Sequence, residues 1–291
     1  MVIKISELYS KVRHSLLETE DAATAGMMAR LLLCHVTGKS REQFLADREM
    51  YVSDDVCAAT EALVTRLKAG EPLAYILGKW EFYGLDLIVN SSVLIPRDDT
   101  CAVAELAINQ AKELGDSPRI LDLCTGSGCI GLAVASKVPG AKVTLADISE
   151  NALVVARQNV ALNNLGNRVT CLPVDALSAP PHFLGKFDLI VSNPPYITTK
   201  EMGELPSSVA DFEPHLALHG GDDGLDFYRS IAKNYAAALK PGGYLCFEFG
   251  MGQGDDVCAI LCENQYTILE RTRDYNDRER AVIARFGWKE D

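Results

Sequence analysis

The sequence has no apolar run near the ~18 residues a membrane helix needs, no Cys-x-x-Cys pair, no low-complexity tract and no excess of basic side chains. Without a long apolar run, no segment is expected to span a membrane. The opening residues, Met1 to Glu7, turn acidic within seven positions, so no secretory signal is expected there. The nine cysteines are scattered singly, and several, such as Cys34 and Cys246, sit among apolar residues. Inert, reduced thiols in a cytoplasmic protein are the expectation. Cys258/Cys262 and His215/His219 are each four apart, but no further His/Cys cluster is near, so no metal site is expected. Lys and Arg number 28 against 40 Asp and Glu, a net charge of −12. Residues 1–75 hold nine basic and eleven acidic side chains, so most of the negative charge lies beyond them. Enzymes that grip a nucleic acid duplex need a basic surface. No direct nucleic-acid partner is expected.

What is present is an ordinary globular composition, 48% hydrophobic and 23% charged, in 291 residues. That length suits one large domain and a small one. Residues 1–75 read as a small helical bundle. Ile5, Leu8, Tyr9, Val12 and Leu16 keep helical spacing, 22–36 repeats it, and a short helix from Ser40 or Arg41 ends at Ala46. Ser53 caps a fourth helix that stops at Gly70. The bundle suits either a docking domain or a structural cap. Residues 76–93 alternate around Gly84 and read as a hairpin linker. Residues 94–291 form the large domain. A helix starts at Asp98-Asp99-Thr100. From Arg119 strands and helices alternate, with strands expected at 120–123, 143–146, 169–173, 187–191, 244–249, 266–271 and 280–286, and one helix at 225–239. Repeated βα units imply an α/β fold with a mostly parallel sheet, ending in an antiparallel tail.

Two loops in this domain carry chemistry. After 187–191 comes Ser192-Asn193-Pro194-Pro195-Tyr196. Two prolines cannot continue a ladder, so the chain must leave the sheet at Asn193, on the edge where open parallel sheets bind ligands. The Asn193 side-chain oxygen and the next backbone carbonyl, that of Pro194, can both accept hydrogen bonds, which suits a planar –NH₂ group. Tyr196 offers a flat face for that group. The plainer alternative is a Pro-rich turn that only ends a strand.

The second loop is Cys124-Thr125-Gly126-Ser127-Gly128, set between a strand and a helix. Asp147 ends the next strand, placed for ribose hydroxyls, and Asp175 ends the third, near where an adenine amino group would lie. Gly126-x-Gly128-x-x-Gly131 also meets the dinucleotide pattern, so NAD is a rival. Against NAD, Asp122 would repel a pyrophosphate, and Asn-Pro-Pro-Tyr has no part in hydride transfer. Both features suit S-adenosylmethionine, a cationic sulfonium with an ammonium end.

These residues resemble the HemK/PrmC protein-(glutamine-N5) methyltransferases along nearly the whole chain. The matching parts are 71–78, Phe82 to Leu85, Leu94-Ile95-Pro96-Arg97, Asp122 to Gly128, Asn193 to Tyr196, Phe212-Glu213-Pro214, Asp223-Gly224-Leu225 and Arg273-Asp274-Tyr275. The resemblance implies a class I S-adenosylmethionine-dependent methyltransferase fold, a Rossmann-like seven-stranded sheet with a small N-terminal helical domain. It implies that Cys124, Thr125, Gly126, Ser127, Gly128, Asp147, Asp175, Ala176 and Asn193 hold S-adenosylmethionine without a metal. It further implies that Asn193, Pro194, Pro195 and Tyr196 receive the glutamine of a peptide chain release factor's Gly-Gly-Gln loop, and that the N-terminal bundle docks the factor. Catalysis would rest on Asn193, Pro194 and Tyr196, in a cytoplasmic monomer. Arg97 and Thr100 either close over the ligands or only start a helix.

The chain departs from the family pattern in three places. Cys124 replaces the first loop glycine, which requires a negative φ there. Asp98 and Asp99 replace Pro and Glu. Ala176 replaces an aromatic, leaving adenine to another apolar residue such as Leu177. The alternatives are an amino-group methyltransferase of DNA or RNA bases, a ribosomal-protein glutamine methyltransferase, and a non-catalytic cofactor-binding adaptor.

Overall fold

The chain segregates its apolar residues into separate cores, and the computed structural model, which describes residues 3–287, divides accordingly into two units. The outermost residues of the expected first and last domains, 1–2 and 288–291, lie outside the described residues, as do the first two positions of the N-terminal signal reading.

The smaller unit takes residues 1–78 and, by a return of the chain, 207–212. A two-residue strand β1 (Ile3–Lys4) pairs with β2 (Tyr51–Val52). Helices α1 (Ile5–Leu16), α2 (Ala22–Thr37), α3 (Arg41–Ala46), α4 (Asp54–Lys68) and α5 (Leu73–Leu77) surround a core of Ile5, Leu8, Leu16, Leu32, Leu33 and Phe44. The caps are local chemistry. Asp21 accepts from the N–H groups of Ala23 and Thr24, and Ser53 from that of Val56. Helix α4 stops before Gly70 as expected, and Pro72 then caps α5, because a helix start does not need the N–H that proline lacks.

The larger unit opens with the hairpin β3 (Lys79–Phe82) and β4 (Leu85–Ile88). Then follow α6 (Cys101–Glu113), β5 (Arg119–Leu123), α7 (Cys129–Lys137), β6 (Lys142–Asp147), α8 (Glu150–Leu162), β7 (Val169–Pro173) and β8 (Phe187–Ser192). After β8 come α9 (Thr199–Met202) and α10 (Ser207–Ala210), the latter in the smaller unit. The chain ends with α11 (Asp226–Asn234), β9 (Leu239–Glu248), α12 (Gly254–Glu263), β10 (Tyr266–Arg273) and β11 (Glu279–Phe286). The seven-stranded sheet has the order β10-β11-β9-β8-β5-β6-β7. Its five central and distal strands are parallel, and β11 pairs antiparallel with both β9 and β10. The class I methyltransferase architecture expected from the resemblance is the one observed.

Two local expectations need correction. The helix expected over 225–239 is α11 followed by a 3₁₀ turn over Tyr235–Ala238, which buries the Tyr235 ring and lets its hydroxyl donate to the Asp175 carbonyl. Pro241-Gly242-Gly243 does not precede the last parallel strand but lies inside β9, where the pairing with β8 shifts register.

Asn159 on α8 is fully buried and joins three parts of the larger unit. Its Oδ1 accepts from the Ile88 N–H, and its Nδ2 donates to the carbonyls of Ile88 and Ser127. It therefore ties the hairpin and the glycine loop to one helix. Asn159→Ala should destabilise the protein by about 2–4 kcal/mol, since buried backbone groups lose their partners. Urea unfolding of the two proteins measures this, and a loss below 0.5 kcal/mol, within the scatter of surface changes, would contradict it.

Candidate active site

Sheet order places the site. After β5 the chain moves outward through β6 and β7, then crosses back to lay β8 on the other side of β5. The strand order reverses between β5 and β8, which leaves a crevice at their C-terminal ends. Leu123, Ser192 and Phe247 are in register across β5, β8 and β9. The next residues of those strands or loops are therefore neighbours: Cys124, Asn193 and Glu248. A hydrogen bond from Ser192 Oγ to the Leu123 carbonyl, 2.5 Å, fixes β8 to β5 at this edge.

The crevice is a cleft of about 1000 Å³, part of it open solvent. Of the residues expected there, Cys124, Thr125, Gly126, Ser127, Asp147, Asp175, Ala176, Asn193 and Pro195 line it. Gly128, Pro194 and Tyr196 are not among its lining residues. Gly128 sits at φ +86° as the cap of α7, where a Cβ would come within 2.9 Å of Leu145. Tyr196 lies against Gly250, and its carbonyl accepts from Gln253 Nε2. Burial pushes the Tyr196 hydroxyl up to about 12, so it stays a neutral phenol. Gly220 lets the chain pass behind this turn, since a Cβ there would meet the Pro195 carbonyl at 2.6 Å.

Cys124 corrects an expectation. Its φ is +60°, not negative. The loop keeps the left-handed turn of a glycine and places a side chain in it, at the cost of roughly 1 kcal/mol that non-glycine residues meet there. Burial and the nearby Asp147 raise the thiol's pKa well above its ordinary value, so it is not a thiolate nucleophile.

The two strand-end carboxylates differ. Asp147 Oδ2 accepts from the Gly126 N–H and Oδ1 from that of Ser149, and burial raises its pKa against those bonds. Each oxygen keeps a lone pair for a ligand. Asp175 turns to its own loop, accepting from the Leu177 N–H and from Ser178 Oγ. Ile148, Val174, Ala176 and Leu177 form an apolar wall beside them.

Asn193 is held at one end. Its Nδ2 donates to Thr100 Oγ1, 3.4 Å. Its Oδ1 has no hydrogen-bond partner among the described residues. Thr100, an ambiguous position in the sequence, is buried and lines the cleft, whereas Arg97 pairs with buried Glu213, which also accepts from the Ile95 N–H. Asp99 pairs with Arg280 at 3.0 Å. Sequence reasoning named Glu213 within a matching motif but gave it no role, and missed Glu248 and the lining residue Phe227. Glu248 had a signal: it is one carboxylate in the apolar run Leu245-Cys246-Phe247-Glu248-Phe249.

Comparison with known proteins gives the family. Residues 7–78 match a family model described as the PrmC N-terminal domain, and 102–208 match one described as a methyltransferase small domain. The release factor glutamine methyltransferase of Clostridium acetobutylicum is 36% identical over 97% of this chain and 98% of its own length. The chain belongs to the release factor glutamine methyltransferase family. The family member of Chlorobaculum tepidum is 39% identical over 88% of each chain. A solved methyltransferase of Pyrococcus furiosus shares the fold, with a TM-score of 0.50 and 18% identity over 78% of this chain and 98% of that one. Family membership carries use of S-adenosylmethionine as methyl donor.

Asp122, beneath the loop, is 1% exposed; its Oδ2 accepts from Thr125 Oγ1 and the Gly131 N–H, and its Oδ1 has no partner. Burial raises its pKa to about 7 despite those two bonds. Folding therefore favours the protonated form. The contribution is full below the unfolded value near 4 and is lost as pH rises through about 7. Between pH 5 and pH 8 the wild type should lose on the order of 2 kcal/mol relative to Asp122→Asn. Urea midpoints at both pH values test this, and parallel pH dependence of the two proteins would contradict it.

Proposed function

We propose that this chain transfers a methyl group from S-adenosylmethionine to the side-chain amide nitrogen of a glutamine, the one in the Gly-Gly-Gln loop of peptide chain release factors. The observation that carries the reading is Asn193, whose NH₂ end is committed to Thr100 while its oxygen is left on a residue of the cleft wall. An acceptor with no donor beside it selects an –NH₂ group and disfavours a carbonyl.

S-adenosylmethionine, when bound, supplies an electrophilic methyl group on a sulfonium. The cleft suits it on two counts. Ser127 Oγ is a buried, unpartnered polar atom on the wall, and Asp147 ends β6 with lone pairs to spare for ribose hydroxyls. The loop of Cys124, Thr125, Gly126, Ser127 and Gly128 would hold the amino-acid end, and Asp175 and Ala176 the adenine, with Leu177 and Ile148 covering it in place of an aromatic. Net negative charge around the cleft favours a cation.

A carboxamide nitrogen is a poor nucleophile, because its lone pair is delocalised into the carbonyl. Asn193 Oδ1 and the Pro194 carbonyl accept its two N–H groups and turn the lone pair out of the amide plane. Tyr196 packs on that plane, and Pro195 keeps the turn stiff. Orientation supplies several kcal/mol of the barrier reduction, with no strong base needed before transfer. The proton leaves the nitrogen afterwards to solvent. The helical unit docks the factor, and the cytoplasm is the compartment this reading implies.

A second reading, methylation of a base amino group in DNA or RNA, uses the same acceptor, but the net charge of −12 disfavours it. Labelled cofactor offered with release factor, and separately with DNA and RNA, distinguishes them: label is expected in the factor alone. Asn193→Ala should abolish transfer while cofactor affinity stays within about tenfold. Asp147→Ala should weaken cofactor binding by about tenfold or more. Unchanged turnover in the first variant, or unchanged affinity in the second by calorimetry, would overturn the corresponding role.

A further inference from the structure

The prolines of the acceptor turn leave one freedom open. Proline fixes φ but not ψ, and its nitrogen carries no hydrogen. The Pro194 carbonyl, one of the two proposed acceptors, belongs to a peptide group whose nitrogen is that of Pro195. That group cannot be tethered through an N–H of its own. The direction of the carbonyl depends on ψ, and ψ is fixed only if the chain is anchored on both sides of the diproline. Upstream the anchor is β8, paired with β5 and β9 as far as Ser192. Downstream the first residue that can be anchored is Tyr196.

Gln253 supplies that anchor. Its Nε2 donates to the Tyr196 carbonyl at 3.1 Å, and its Oε1 accepts from the Gly250 N–H at 2.9 Å. The two bonds need opposite ends of a carboxamide, so the side chain has one orientation, and no carboxylate can make both. The chain closes tightly around this contact. A Cβ at Gly224 would come within 2.3 Å of the Tyr196 carbonyl and 2.6 Å of Gln253 Nε2, and one at Gly250 within 3.0 Å of the Tyr196 ring. Gln253 is also the N-cap residue of α12, yet its side chain makes no capping bond there. The ordinary use of a polar side chain at a helix start is given up, and the carboxamide is spent on the turn instead.

We infer that Gln253 is a positioning residue for the methyl transfer: by holding the Tyr196 carbonyl it fixes ψ within the diproline turn and so aims the Pro194 carbonyl at the substrate amide. The inference rests on the reading of the Pro194 carbonyl as substrate acceptor and adds what sets its direction. Gln253 is not among the residues that line the cleft. It acts from behind the turn, through Tyr196. An acceptor displaced by about 1 Å loses its bond to the second N–H of the glutamine amide, and misplacements of that size cost up to about 100-fold in rate.

Gln253→Glu tests this, because it keeps the size of the side chain and separates the two bonds. At about pH 8 the carboxylate still accepts from the Gly250 N–H but sets lone pairs against the Tyr196 carbonyl. If the side chain only closed the 250–253 turn, this variant would behave as wild type. With a glutamine-bearing release factor, kcat should instead fall about 10- to 100-fold, while KM and the affinity for S-adenosylhomocysteine stay within about threefold. Gln253→Met, which loses both bonds, should fall at least as far. An unchanged kcat in Gln253→Glu, or a loss of cofactor affinity as large as the loss of kcat, overturns the inference. A second measurement needs no substrate. Crystal structures of the wild type and Gln253→Glu should differ by about 1 Å in the position of the Pro194 carbonyl oxygen. A carbonyl that keeps its wild-type place overturns the inference as well. A wild type that methylates no glutamine would instead refute the proposed function, while the crystal comparison would still decide whether Gln253 aims the carbonyl.

Discussion

The register of three parallel strands is the constraint on which the site depends. Because Leu123, Ser192 and Phe247 pair side by side, the chain delivers Cys124, Asn193 and the buried Glu248 to one line at the sheet edge. A shift of one residue would turn every side chain on a strand to the other face. The apolar faces of β5, β8 and β9, with Leu121, Ile190, Leu245 and Phe247 buried completely, make such a shift prohibitive. The rigidity of the site is thus inherited from the core. The diproline turn adds to it by removing two N–H groups and fixing two φ angles where the chain leaves β8.

Electrostatics supply the second layer. Asp122, Asp147 and Glu248 lie at the ends of three of the strands that meet the crevice, and burial resists the ionisation of each. Such a concentration of reluctant carboxylates would be a poor setting for a pyrophosphate. It suits a ligand that carries positive charge and donors, which is what distinguishes a sulfonium amino acid from a dinucleotide when both would accept the same glycine loop.

Much of this was legible in the sequence. The fold class, the crevice and the Asn193 turn follow from alternating strands and helices, two prolines in succession and a glycine loop in a strand–turn–helix setting. These are local signals, each with a local physical cause. What escaped was non-local. Glu248 and Thr100 are ordinary residues until the sheet places them beside Asn193, across 55 and 93 positions of chain. Asn159 sits in a helix like any polar residue, and only tertiary structure shows it bonded to a hairpin and a loop. Cys124 was legible but misread. The turn's demand for positive φ outweighs the preference of a cysteine, so the backbone stays and the residue bears the strain.

The central claim is that a neutral carboxamide is recognised by its two hydrogens at the end of β8. The most direct measurement is a crystal structure of the protein with S-adenosylhomocysteine and a Gly-Gly-Gln peptide. The account predicts the glutamine amide nitrogen within hydrogen-bond distance of both Asn193 Oδ1 and the Pro194 carbonyl. A glutamine side chain seated elsewhere, or an Asn193 amide that turns its NH₂ toward the substrate, would contradict it.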